Sequence, residues 1–91
     1  MAFEQSEVQR KSGGSKLKLS IYKNPRNDHT YLVNHKGSRY MIVERDWLGN
    51  VFQIMAVYNK LENAQDVLDK LCDSMDWRFC GEQQEAEQLD G

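Results

Sequence analysis

Between residues 16 and 23, apolar and polar side chains alternate strictly, with Leu17, Leu19 and Ile21 on one side and Lys16, Lys18, Ser20 and Tyr22 on the other. A period of two is that of a half-buried β-strand, so the pattern predicts a first strand with its aliphatic side inward. Asn24, Pro25, Asn27 and Asp28 follow and mark a turn. Residues 30–35 (TYLVNH) and 39–45 (RYMIVER) predict a second and a third strand, joined through Lys36, Gly37 and Ser38. In the third strand Tyr40 with Ile42 and Met41 with Val43 are equally suited to the core, which leaves its register open. Gly49-Asn50 between two β-rich runs is a hairpin signal. Residues 51–58 (VFQIMAVY) then form a fourth strand that is apolar on both faces. Such a strand needs two covers, and one helix supplies only one. The second must come from Trp47, from the chain ends, or from another molecule, including a second copy of this chain.

From residue 59 the period lengthens. Leu61, Ala64, Leu68, Leu71 and Met75 fall on one side of a helix expected over residues 60–76, with Val67 and Cys72 at its margins. Asn59 is placed to cap it, with Glu62 reaching back in a capping box. The side away from the core is acidic: Glu62, Asp66, Asp69, Asp73 and Asp76 recur at steps of four and three, which gathers five carboxylates within roughly 80° of arc. Asp66 with Lys70 is the lone i,i+4 pair of opposite sign, so little in the helix offsets the stripe. Residues 76–80 (DWRFC) suggest a short edge strand. The prediction is an α+β domain over residues 16–80: an antiparallel sheet of four to five strands in the order β-β-β-β-α, with a short fifth strand and the helix packed on one face. Residues 1–15, polar and ending in Gly13-Gly14-Ser15, read as a flexible N-terminal arm. Residues 81–91, with four acids and no base, read as a disordered acidic tail.

Composition narrows the class. A chain of 91 residues has room for one small domain, and 40% hydrophobic with 29% charged residues fits a soluble globular one. No apolar run approaches the ~20 residues of a membrane span, and the N-terminus lacks a signal-peptide pattern. These features lead us to expect a cytoplasmic protein with no membrane partner. Cys72 and Cys80 form neither a disulfide framework nor a zinc pattern and are expected to be reduced thiols. The net charge of −2 conceals a split: nine Lys or Arg against four acids in residues 1–45, three against ten in residues 46–91. Asymmetry of this kind points toward a charged partner, although folding can bring the halves together.

The chain carries no motif for a catalytic, cofactor-binding or metal site. His29 and His35 both lie beside turns, with no nucleophile at a recognisable spacing. An enzyme is therefore not expected, and neither is a cofactor. The expectation is a small non-enzymatic module that regulates or adapts a protein partner, one with a basic surface. Glu62, Asp66, Asp69, Asp73 and Asp76 would steer that partner, and Trp47 and Trp77 would anchor it. Self-association into a homodimer through the uncovered apolar face fits the same pattern. The alternative is nucleic-acid binding through Lys16, Lys18, Tyr22, Lys23 and Arg26, with Tyr22 as a stacking platform. In architecture alone, residues 30–72 resemble the three-strand-plus-helix sheets of arm-type DNA-binding modules of phage integrases. Each charged set also has an ordinary reading, as a solvated helix face or a lysine-protected sheet edge.

Overall fold

The computed structural model describes residues 17–89. Along the chain it places β1 (Leu19–Lys23), β2 (Thr30–Lys36), β3 (Arg39–Arg45), β4 (Val51–Tyr58), α1 (Leu61–Met75), β5 (Arg78–Gln83) and β6 (Glu87–Gln88). This is the expected α+β class. Five strands form an antiparallel sheet in the order β4-β3-β2-β1-β5, with α1 packed across it. The β2–β3 and β3–β4 hairpins fall where the turn residues require them. Gly37 has φ 61 between β2 and β3, and Gly49 has φ 91 between β3 and β4, values that an L side chain adopts only with strain. In the second turn Asp46 Oδ1 accepts the amides of Leu48 at 3.0 Å and Asn50 at 2.9 Å, fixing the loop from its first residue.

The sheet splays. β1 pairs with β2 only through Tyr22↔Tyr31 and Lys23↔Thr30, then follows β5 over its whole length. The backbone groups of β2 left beside the gap still need partners. Gln83 Nε2 donates to the Val33 carbonyl at 2.9 Å, β6 pairs in parallel with Asn34 and His35, and the Leu89 amide donates to the His35 carbonyl at 2.7 Å. The domain therefore continues past the expected limit at residue 80. β5 runs to Gln83, and Ala86 and Leu89 are buried, where an acidic tail was expected from residue 81. The arm over residues 1–15 lies outside the described residues.

The core lies between α1 and one sheet face: Tyr22, Tyr31, Val33 and Ile42 meet Ala64, Leu68 and Trp77. The open register of β3 resolves with Tyr40 and Ile42 toward the helix and Met41 and Val43 toward the other face, where Leu89 joins them. Three expectations are corrected. First, Tyr22 rather than the aliphatic side of β1 faces the helix, because Tyr31 and Trp77 form an aromatic wall that it completes. Leu17 is exposed. Second, Met75, expected in the core, is exposed, whereas Gln65 is fully buried and reaches the Ser20 carbonyl at 3.4 Å. Third, Asn59 does not cap the helix: Lys60 is the N-cap residue, extended at φ −128, and no side chain bonds the free amides. At the other end Asp76 takes the left-handed conformation (φ 58) that short polar side chains tolerate. Arg26 Nη2 donates to the Met75 carbonyl at 3.1 Å and so brings a cation to a last turn with no basic residue of its own. No helix of the described residues is long and apolar enough to cross a membrane.

Candidate protein-binding surface

β4 closes one side of the sheet, so its outer edge pairs with no strand among the described residues. Only Ala56 and Tyr58 reach the core. Val51, Phe52, Ile54, Met55 and Val57 are exposed, and the preceding turn adds Trp47 at 71% and Leu48 at 65% exposure. The pairing with β3 shifts between Ile42 and Val43 and again between Glu44 and Arg45, which leaves Met55 and Phe52 outside the register and bends the strand, while Val57 and Ile54 stand beside Met41 and Val43 on the face away from the helix. Edge strands are ordinarily blunted by charge, and large apolar patches on a surface mark contact sites. β4 has no charged residue. The opposite edge, β5, carries Arg78, Glu82 and a glycine, so only one edge is undefended. The two-sided apolar strand read from the sequence thus keeps an uncovered side.

The five carboxylates of the acidic stripe are all exposed. They sit on the flank of α1 above β1, because Asp69 accepts the Tyr22 hydroxyl at 2.5 Å and Gln65 Nε2 at 2.9 Å. Asp76 terminates the helix and Asp66 pairs with Lys70 at 3.0 Å, while Glu62 stands in the first turn and Asp73 in the last, on the same flank. Burial, reinforced by the bond to Asp69, pushes the Tyr22 hydroxyl up to about 12. Burial, with Asp73 and Asp69 nearby, also raises the Cys72 thiol. Both Cys72 and the exposed Cys80 are free thiols. For Tyr22 the consequence has a definite sign. Between its ordinary 10.0 and about 12 the unfolded chain gives up the proton first, so stability is constant below that window and falls as pH rises through it. Tyr22→Phe is expected to lower stability at neutral pH by about 1.5 kcal/mol, for a lost bond to a charged acceptor, and to make the alkaline decline shallower. Urea midpoints measured from pH 8 to about 12 test both effects; an unchanged alkaline slope excludes the role given to Tyr22.

The two tryptophans part company. Trp47 stands on the turn in water, as an anchor should, whereas Trp77 is buried and stacked on Tyr31 with centroids 3.6 Å apart and rings 7° from parallel. Trp77 belongs to the core and offers no surface to a partner. The basic set is not assembled as a stacking platform either. Tyr22 is buried beneath α1, Lys18 Nζ lies 4.9 Å over the Phe79 ring, and Arg26 holds the helix end. Lys23 is exposed, and Lys16 lies outside the described residues.

One cluster was missed from the sequence. Glu44 is buried beneath the sheet surface, with His29 Nδ1 at 2.7 Å from Oε2, the Tyr31 hydroxyl donating to Oε2 at 3.0 Å and Gln53 Nε2 to Oε1 at 2.7 Å. Burial opposes its charge, but the bonds from Gln53, His29 and Tyr31 prevail and hold the carboxyl below its ordinary range. Burial raises Tyr31 in turn, and its bond to Glu44 adds to this. Phe52 closes the cluster edge-on to His29, with centroids 4.8 Å apart. The signal available was phase: Glu44 stands two residues beyond Ile42 and four beyond Tyr40, on the side of β3 that meets the helix. Among the described residues no three His, Cys, Asp or Glu side chains converge as a metal site. No protein-family model, curated protein or solved structure matches the chain.

Proposed function

We propose that this protein is a non-enzymatic interaction module that engages protein through the apolar β3–β4 edge. The supporting observation is the run of large hydrophobic side chains from Trp47 to Val57, exposed on an edge strand without a single charge. A patch of this kind has a cost in solubility that a contact surface explains. Trp47 and Phe52 supply the aromatic area typical of binding hot spots, and Phe52 is held in place by His29 behind it. The acidic flank of α1 lies over β1, away from this edge, and there it steers a basic partner; raising the ionic strength slows that encounter. A regulatory or adaptor role follows from having two separate surfaces of different chemistry on one small domain.

A photoreactive residue at position 54, compared with one at position 82 on the charged β5 edge, tests this reading. Irradiation of the tagged chain in cell extract is expected to give protein adducts from position 54 several-fold above those from position 82. Equal yields from the two edges remove the β4 surface from the account.

A further inference from the structure

The occupant of the β4 edge is open to inference from charge. We infer that it is a second copy of this chain, laid antiparallel across a two-fold axis near Ile54 and Met55; this rests on the edge being an interaction surface. A two-fold contact sets a surface against itself, so whatever it carries must tolerate its own image. β4 does, since VFQIMAVY contains no charge to repel its copy. Its ends add direction. Asp46 stands at the turn end, while Arg39 and Lys60 flank Val57 and Tyr58 at the other. Antiparallel placement brings the Asp46 of each copy toward Arg39 and Lys60 of the other, whereas parallel placement would oppose like charges. Arg45, also near the turn, is directed away to the Gly49 carbonyl at 2.8 Å and Asn34 Oδ1 at 2.9 Å.

Two further observations agree. The acidic stripe is tied over β1 by Asp69 and Tyr22, three places from β4 in the sheet, so the two helices do not oppose their carboxylates at the axis. Seven large apolar side chains from Trp47 to Val57 are exposed between about two-fifths and seven-tenths, enough to form the apolar centre of a standard interface of roughly 800 Å² per partner. The bends in β4 interrupt a long ladder, so side chains rather than backbone bonds carry the contact.

Sedimentation equilibrium of the full chain at low and high salt decides it. The wild type is expected at twice the 10.6 kDa chain mass in both, because an apolar contact is insensitive to screening. Ile54→Lys and Ile54→Glu are each expected to halve that mass, since like charges then meet across the axis. An equimolar mixture of the two variants is expected to restore it. Ile54 is 48% exposed, and thermal melts followed by circular dichroism establish that both variants fold. Met55→Lys with Met55→Glu repeats the test at the other exposed residue beside the axis. A monomeric wild type, a dimer indifferent to these substitutions, or a mixture that stays monomeric overturns the inference. A monomeric wild type whose position-54 adducts contain other proteins leaves the edge an interaction surface and overturns only self-association. A monomer giving no adducts overturns both.

Discussion

Replacing Trp77 with alanine is expected to lower folding stability by about 3–5 kcal/mol, the range for large aromatic truncations in a core. The indole is buried, lies flat on Tyr31 at 3.6 Å, and follows immediately on the residue that ends α1. Its backbone is held as well: the Trp77 amide donates to the Cys72 carbonyl at 3.1 Å, and Cys72 Sγ donates back to the Trp77 carbonyl at 3.3 Å. The ring thus closes the helix onto the sheet at the point where the chain turns into β5. A domain of this size has roughly 5–10 kcal/mol of stability in all, so the variant forfeits a large share of it. Two comparisons isolate the cause. Trp77 Nε1 is buried with no hydrogen-bond partner among the described residues, so Trp77→Phe, which keeps the stack and removes that donor, is expected to cost only about 1 kcal/mol. Trp47→Ala, on an exposed turn, is expected to stay within about 0.5 kcal/mol of the wild type. Urea unfolding of the three variants measures this. Equal losses from Trp47 and Trp77 would contradict the separation of one tryptophan into the surface and the other into the core.

That separation also shows where the sequence is legible. β3 and β4 are found at their observed limits because a glycine-containing turn and β-rich runs specify a hairpin locally. The helix is equally local, its period of 3.6 being written in Leu61, Ala64 and Leu68. The faces of β1 and the fate of Trp77 are not local matters. Strict alternation at Leu17, Leu19 and Ile21 marks one side of β1 as apolar, yet Leu19 and Tyr22, from the two sides of that pattern, are both buried. Helix packing selects the side whose Tyr22 completes the aromatic cluster with Tyr31. The segment after Gly81 is harder still. Its composition is that of a disordered tail, and what orders it is the gap beside β2, whose unpaired backbone groups draw in Gln83, β6 and the Leu89 amide. Ala86 and Leu89, the only apolar residues after Cys80, are the ones buried. Of the candidate surfaces, the apolar edge was legible because a strand apolar on both faces needs two covers. The position of the acidic stripe was not, because it depends on Asp69 meeting a tyrosine 47 residues away.

Removing the Glu44 carboxylate is the other substitution expected to have a large effect. Glu44→Ala withdraws the acceptor shared by the buried Tyr31 hydroxyl, by His29 and by Gln53, and a broken buried polar network of this kind costs about 3 kcal/mol. Glu44→Gln keeps the volume and one acceptor oxygen, and its expected cost is about half as great. The pH dependence separates charge from shape. Because the folded carboxyl lies below its ordinary 4.5, its contribution is fully present above that pH and is lost as pH falls through the folded value. Urea midpoints of the wild type are therefore expected to fall on acidification below about 4.5, and those of Glu44→Gln to fall less steeply. Parallel acid limbs would remove Glu44 from the cause. The same cluster couples the two predictions. Tyr31 touches both Trp77 and Glu44, so the doubly substituted Trp77→Ala, Glu44→Ala chain is expected to lose less than the sum of the single losses. It also fastens the exposed edge to the core: Gln53 is bonded to Glu44, and Phe52 rests on His29, so two neighbouring residues of β4 are held from beneath. An apolar edge presented to another chain loses less entropy on contact when its own strand is already fixed. A buried carboxylate two residues beyond Ile42 thereby prepares the surface on the neighbouring strand.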